Sequence, residues 1–321
     1  MSTIEKAASR IAARRKANGG AAAGEQHLEG PAAPRTDTTG RAAPVRSLAP
    51  SPPPPGHYVD IDLASLAERG FLVPDAGRTR LAHEMRRIKR PLLLNIRKSR
   101  ASEDPDVADA PPANLIMITS ALPGEGKTFM SINLAMSLAA EVDRRVLLVD
   151  ADVARGDISR QLELEPQRGL TDLLNETAHL TEDGVVSTNV ERLSVLTAGA
   201  PTEQVDELFA SDLMGTLTRS LAEADPNRVV LFDASPLLAT TEAAVLARHV
   251  GQTVVVVEAN KTPQDALHQA LAQLEGCGNV SLVLNKATGG EAGGYGYGYG
   301  YGYGYGSEAP HGRSGAKAEA N

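Results

Sequence analysis

Cysteine is almost absent from this sequence of 321 residues, and the single Cys277 cannot form an internal disulfide. Long apolar runs are missing too. The clearest, Val146–Val149 and Val254–Val257, fall far short of the roughly 20 residues needed to cross a bilayer and suit buried strands instead. The opening residues lack the apolar stretch of a secretory signal, so a reducing cytoplasm is the expected location. The histidines show no metal-ligand spacing. A formal charge of −8 disfavours nonspecific attraction to nucleic acid, and no such partner is expected. Aromatic residues make up 3% of the chain, and six of its seven tyrosines lie together near the end, where a core cannot use them.

What is present is unevenly spread. A hydrophobic share of 42% can build a core, yet 13 of the 20 prolines precede residue 113 and 12 of the 30 glycines follow Lys286. The packed domain is therefore expected at 113–288. Ser2 and Glu5 have capping-box spacing, and Ile4, Ala7, Ala8 and Ile11 form a weak apolar stripe, so a short helix is predicted within 1–17. Residues 18–57, rich in Ala, Pro and Gly, bury too little surface to offset ordering entropy and read as a disordered linker. Residues 58–112 form a basic helical segment, with nine Arg or Lys between Arg78 and Arg100 against one acid, Glu84. The helical pattern over 79–98 contains Pro91, which is expected to kink or divide it. Residues 289–321 are a flexible tyrosine-rich tail.

From Asn114 short β-rich runs alternate with helical stretches: Leu115–Thr119, 127–141, Val146–Val149, 157–162, 169–175, Leu193–Thr197 and a helix near 210–223. Val229–Phe232, 241–249, Val254–Val257, 263–275 and Val280–Leu284 follow. Nearly all-apolar strands separated by helices predict a doubly wound α/β fold, mostly parallel and covered by helices on both faces. In such a sheet ligands sit at the carboxyl ends of the strands.

After the first of these strands comes Ala121-Leu-Pro-Gly-Glu-Gly-Lys-Thr128, which has P-loop spacing with alanine in place of the first glycine. Backbone N–H groups of a tight loop at a helix N-terminus point at phosphate oxygens, Lys127 supplies a point charge, and the Thr128 hydroxyl can ligate Mg²⁺. Gly124 and Gly126 let the backbone approach the anion. The next strand ends in Asp150-Ala-Asp152, and Val229–Phe232 ends in Asp233. Three carboxylates at two strand ends can converge on Mg²⁺ and the γ-phosphate.

These residues resemble the bacterial tyrosine kinases, whose P-loop domain is similar to the MinD/ParA ATPases. Ala121–Thr128 looks like the family's Walker A motif, Val146–Asp152 like its Walker A′, and Val229–Pro236 like its Walker B. Glu84, Arg87 and Arg90 match the Glu-x-x-Arg-x-x-Arg helix that packs against a neighbouring subunit of a ring. The resemblance implies ATP and Mg²⁺ as cofactors. It places Ala121, Pro123, Gly124, Glu125, Gly126, Lys127, Thr128, Phe129, Arg155 and Asn285 at the nucleotide, with Asn285 at the adenine. Thr128, Asp152 and Asp233 would serve the metal, and Lys127, Asp150, Asp152 and Asp233 the chemistry. Leu122 stands where MinD/ParA proteins carry a second lysine, which favours the kinases. Ala154 stands where the family usually has arginine, and Arg155 is one position late.

The N-terminal segment is similar to that of exosortase-associated (XrtA-type) autokinases of exopolysaccharide loci. That kinship implies a separate membrane partner of the chain-length-determinant type, recruitment to the inner face of the membrane, and a tyrosine phosphatase. Tyr295, Tyr297, Tyr299, Tyr301, Tyr303 and Tyr305 alternate with glycine, on a chain whose root-mean-square reach from Asn285 is roughly 17 Å to the first and 25 Å to the last. A domain of this size has a radius of gyration near ~16 Å, so the tail reaches its own active site or a neighbour's. The expected function is autophosphorylation of these tyrosines. Full modification would add roughly −9 to −12 charges, enough to open a ring by repulsion. The alternatives are a MinD/ParA-like ATPase and an ATP-bound scaffold, each with a passive tail.

Overall fold

A computed structural model describes residues 58–287, apart from 75–76, 78, 103, 105–109, 166–167 and 176–183. The predicted helix within 1–17, the linker at 18–57 and the tail tyrosines lie outside the described residues. Eight strands among the described residues form one sheet: β1 (Tyr58–Val59), β2 (Leu115–Ser120), β3 (Arg145–Ala151), β4 (Val185–Thr188), β5 (Leu193–Leu196), β6 (Arg228–Ala234), β7 (Gln252–Glu258) and β8 (Asn279–Asn285). Their order is β1-β4-β5-β3-β6-β2-β7-β8. Every neighbouring pair is parallel except β4 with β5, which is antiparallel. β2 is buried along its whole length, four apolar residues followed by Thr119 and Ser120, as a strand covered on both faces is. The doubly wound α/β class is as expected; β1 and β4, short and lying toward one edge, had no expectation attached.

One face of the sheet is covered by α1 (Leu63–Glu68), α2 (Arg80–Arg100) and α3 (Lys127–Ala139), which share a core with Ile116, Ile118, Leu148 and Val254. The other carries α5 (Leu170–Asn175), α6 (Val205–Ala210), α7 (Asp212–Glu223), α8 (Glu242–Leu246) and α9 (Gln264–Ala272), packed on Met117, Val149, Phe232 and Val255. The short α4 (Asp157–Gln161) follows β3. The helix expected near 210–223 is α7, and a further short helix, α6, precedes it; Ser211, extended at ψ 156° with its N–H bonded back to Leu208, separates the two.

Packing begins earlier than residue 113. Ile61, Leu66, Phe71, Leu72, Ala82, Met85, Leu92 and Ile96 all belong to the first core, so the segment from β1 through α2 is built into the sheet's cover. The reason is a stripe at 82, 85, 89, 92 and 96, whose alternating spacing of three and four keeps one helix face inward. Lys89 occupies a buried place on that stripe because its ammonium is matched, by the Ser137 carbonyl and the Glu141 carboxylate, each at 2.6 Å. Thr79 caps the helix by accepting from the Ala82 N–H at 3.1 Å. Pro91 does not divide α2. Its ring lies on the exposed face, where the carbonyl it leaves without an N–H partner can be hydrated.

Candidate functional site

The loop between β2 and α3 turns through two glycines, Gly124 at φ 86° and Gly126 at φ 99°. Gly126 is the residue before the helix, and a Cβ there would fall 2.2 Å from Asn285 Nδ2, so this position needs glycine for its conformation and for space. The loop is gripped from the ends of β7 and β8. Asn285 donates to the Glu125 carbonyl at 2.9 Å, and Lys286 Nζ donates to the Gly124 carbonyl at 2.7 Å while pairing with Glu258 at 3.1 Å. Glu125 is itself buried. Its carboxylate accepts from the Leu122 N–H at 2.8 Å and from the Thr262 hydroxyl, so it acts within the loop as a structural anchor.

Beneath the loop, the amino end of α3 meets the carboxyl ends of β3 and β6. Register pairs Asp150 with Asp233 on these adjacent strands. Lys127 Nζ lies 2.6 Å from Asp152 Oδ2 and 3.7 Å from Asp233 Oδ2. The Thr128 hydroxyl donates to Asp233 Oδ2 at 2.6 Å, and Ser131, one turn along α3, lies 3.0 Å from Asp233 Oδ1. Ser235 donates to Asp152 Oδ1 at 3.1 Å. Asp150 is fully buried; its Oδ2 accepts from the Ile158 N–H at 3.0 Å, and its Oδ1 has no hydrogen-bond partner among the described residues. Burial, then the charge of Asp233, push the Asp150 carboxyl up to about 7. Burial also raises Asp233, against the opposing influence of Lys127 and its two hydroxyl donors.

The expected triad of carboxylates thus converges with Lys127 and Thr128. Arg155 does not join them: its guanidinium is half-exposed and pairs with Asp157 at 3.4 Å. Phe129 packs against the core, its ring tilted at 43° to that of Phe71 with centroids 5.0 Å apart. Ala121 is buried under the loop, and Pro123 and Gly124 are exposed at its tip. Asn285 lies against the loop at Gly126. Glu84, Arg87 and Arg90 lie away from this site on the outer side of α2, where Glu84 pairs with Arg80 at 2.8 Å and the two arginines are exposed.

Sequence reasoning passed over Ser131, Ser235, Thr262, Glu258 and Lys286. The signal for Ser131 was a hydroxyl four residues after Lys127 in an otherwise apolar stretch; nothing local marked the others, which act across strands. A separate cleft of about 940 Å³, lined by Arg219, Arg248 and His249 at the amino ends of the strands, contains none of the P-loop residues.

Three buried acids facing one lysine leave an excess of negative charge that a divalent cation would offset, and the donors are all oxygen, as Mg²⁺ requires. Among the described residues no three acids, histidines or cysteines form a ready-made metal cage. Mg²⁺ rarely uses one; it takes one or two carboxylates together with phosphates and water. Thr128, Asp152 and Asp233 fit that role.

Comparison with known proteins places this geometry. The family model for an AAA domain matches residues 113–279. A tyrosine-protein kinase, ptk, of Acinetobacter johnsonii is 36% identical over 165 residues, covering 51% of this chain and 22% of that protein. The tyrosine-protein kinase YwqD of Bacillus subtilis is 34% identical over 162 residues, covering 50% of this chain and 67% of that protein. The chain therefore spans about a fifth of the first relative and two thirds of the second. Among solved structures, the BceF tyrosine kinase domain aligns at 26% identity with a TM-score of 0.54 over 71% of this chain and 91% of that one. The kinase domain of Escherichia coli tyrosine kinase ETK shares the fold, with a TM-score of 0.59 at 24% identity over 76% of this chain and 94% of that one. On the extent of the domain match and the two-thirds coverage of a homologous kinase, the chain belongs to the bacterial tyrosine-protein kinase family.

Proposed function

We propose that this chain is an ATP-dependent autokinase that transfers the γ-phosphoryl group of Mg-ATP to Tyr295, Tyr297, Tyr299, Tyr301, Tyr303 and Tyr305 of its own tail. The observation that carries the reading is the cluster of Lys127, Thr128, Asp150, Asp152 and Asp233 at the amino end of α3. The loop N–H groups and Lys127 would hold the nucleotide's phosphates, with Asn285 as a further contact and Arg155 another once its half-exposed side chain leaves Asp157. Mg²⁺ bound near Thr128, Asp152 and Asp233 supplies charge compensation at the phosphates. Asp150 Oδ1, buried and unpartnered, is the acceptor for the tyrosine proton, and a carboxyl poised near neutral pH is suited to take it. In balance, the tyrosine oxygen bonds to phosphorus, the bond to the ADP oxygen breaks, and the hydroxyl proton passes to Asp150.

Transfer occurs between subunits of a ring held by Glu84, Arg87 and Arg90 on the outward side of α2, and accumulated phosphate on the tail opens it. The activity regulates exopolysaccharide synthesis or export at the inner face of the membrane, with a chain-length-determinant-type membrane partner and a phosphatase that resets the tail. No helix among the described residues is long and apolar enough to span a membrane, so recruitment by a partner suits this part of the chain.

The test is incubation with radiolabelled ATP and Mg²⁺, followed by alkali treatment and peptide mapping. Alkali-stable label on Tyr295–Tyr305 that disappears in Lys127→Met supports the reading. Release of free phosphate without label makes the chain a MinD/ParA-like ATPase, and ATP binding with neither makes it a scaffold; both overturn the proposal.

A further inference from the structure

β8 is an edge strand, hydrogen-bonded to β7 on one side and to no strand of the described residues on the other. The parity of its backbone is fixed at both ends. The Asn279 N–H donates to the Gly251 carbonyl at 3.2 Å, and the Asn285 carbonyl accepts from the Ala259 N–H at 2.9 Å. The odd-numbered residues therefore spend their polar groups on β7, and the N–H and C=O of Val280, Leu282 and Leu284 face the open edge. The same three side chains share one face of the strand and are 37%, 53% and 64% exposed. By register they continue the row of Thr253, Val255 and Val257, which α9 covers through Leu267 and Leu271. β8 thus presents an uncovered apolar stripe beside a row of unpaired backbone groups, a template that proteins ordinarily blunt with charge, proline or a covering element.

The sequence that follows has a matching form. Lys286, immediately after β8, adopts φ 54° and so bends the chain as the strand ends. Nine residues, 286–294, separate β8 from Tyr295, more than the two to five that commonly reverse a chain between antiparallel strands. From Tyr295 to Tyr305 tyrosine recurs at every second position with glycine between. Period two is the period of a strand, so an extended backbone puts all six rings on one face and all the intervening glycines on the other. Tyrosine is favoured in strands, and its ring gives apolar area with a polar tip that remains in water.

From these features we infer that the unmodified segment Tyr295–Tyr305 docks on β8 as an added antiparallel strand, its tyrosine rings lying over Val280, Leu282 and Leu284. The main-chain groups on the open edge provide hydrogen bonds, and the apolar stripe chooses the face. Because the repeat is uniform, a shift by two residues preserves the face, so successive tyrosines occupy equivalent places. The consequence for regulation rests on the kinase reading above. A phosphate on a ring laid against valine and leucine brings charge into contact with apolar surface, which favours release, so docking holds the unmodified tail and phosphorylation frees it.

The test needs no ATP. Amide hydrogen exchange is measured at residue resolution on the full, phosphatase-treated chain and on two full-length variants, Leu282→Lys and one with all six tail tyrosines changed to serine. The N–H groups of Val280, Leu282 and Leu284 are expected to exchange roughly tenfold or more slowly in the wild type than in either variant. Those of Ser281 and Val283, committed to β7, should keep their protection in all three and so report that the sheet is intact. Equal exchange at the even-numbered positions in wild type and serine variant overturns the inference. So does protection that survives the serine changes but vanishes on dilution, which would identify a second copy as the occupant. Because the kinase reading is judged by tyrosine label and this one by exchange in the absence of nucleotide, either can fail while the other stands.

Discussion

Replacing Gly126 by alanine probes the nucleotide loop at its tightest point, and the structure separates the cost into two parts. An L-residue at φ 99° carries strain of about 1–2 kcal/mol. The new Cβ would also stand 2.2 Å from Asn285 Nδ2, so Asn285 must swing away and lose its 2.9 Å bond to the Glu125 carbonyl, worth about 1 kcal/mol. Gly126→Ala should therefore destabilise the chain by about 2–3 kcal/mol. Asn285→Ala alone should cost about 1 kcal/mol through the same lost bond. In the double variant the clash has no partner and the bond is lost only once, so the total should be about 2–3 kcal/mol, short of the additive sum by about 1 kcal/mol. Urea denaturation of the four proteins at equal slope measures the cycle. Strict additivity would show that the two residues do not meet, and a Gly126→Ala variant as stable as wild type would refute the loop conformation itself.

Two further predictions concern the acids. The Asp150 carboxyl is raised from 3.8 to about 7 in the folded chain, so its protonated form is favoured by folding and the nucleotide-free protein loses stability as pH rises from about 4 to 7. Asp150→Asn, which keeps the shape of the neutral carboxyl, should be near wild type at pH 4 and more stable at pH 8, by up to about 4 kcal/mol; an advantage that does not change with pH would contradict this environment. Ser131→Ala removes a donor from Asp233 Oδ1, leaving that buried oxygen short of a partner at about 1–3 kcal/mol. It should also weaken Mg²⁺-dependent ATP binding, and calorimetry showing unchanged affinity together with unchanged unfolding would argue against a supporting role.

Much of this molecule can be read without coordinates. Val146–Val149 and Val254–Val257 have to be buried strands because unbroken apolar runs of that length are stable only with both faces covered, and Ala121–Thr128 between a strand and a helix can make few things other than an anion loop. The three aspartates are legible for a related reason: the carboxyl ends of parallel strands lie on the P-loop side of the sheet. Pro91 misleads because its effect depends on which way the ring faces, a property of packing around the 82–85–89–92–96 stripe and not of the residue.

What only the tertiary structure decides are contacts between residues far apart in the chain. Ser235 beneath Asp152, Asn285 over Gly126, Thr262 and Lys286 on the P-loop, and the lone Oδ1 of Asp150 follow from which strands lie side by side. The same holds for β8. Its Val-Ser-Leu-Val-Leu pattern reads as a strand covered on both faces, yet the order of the described strands sets it at the edge with three apolar side chains uncovered. Hydrophobicity and periodicity are local properties that a sequence states outright; strand order and the company each side chain keeps arise from how the whole chain closes on itself.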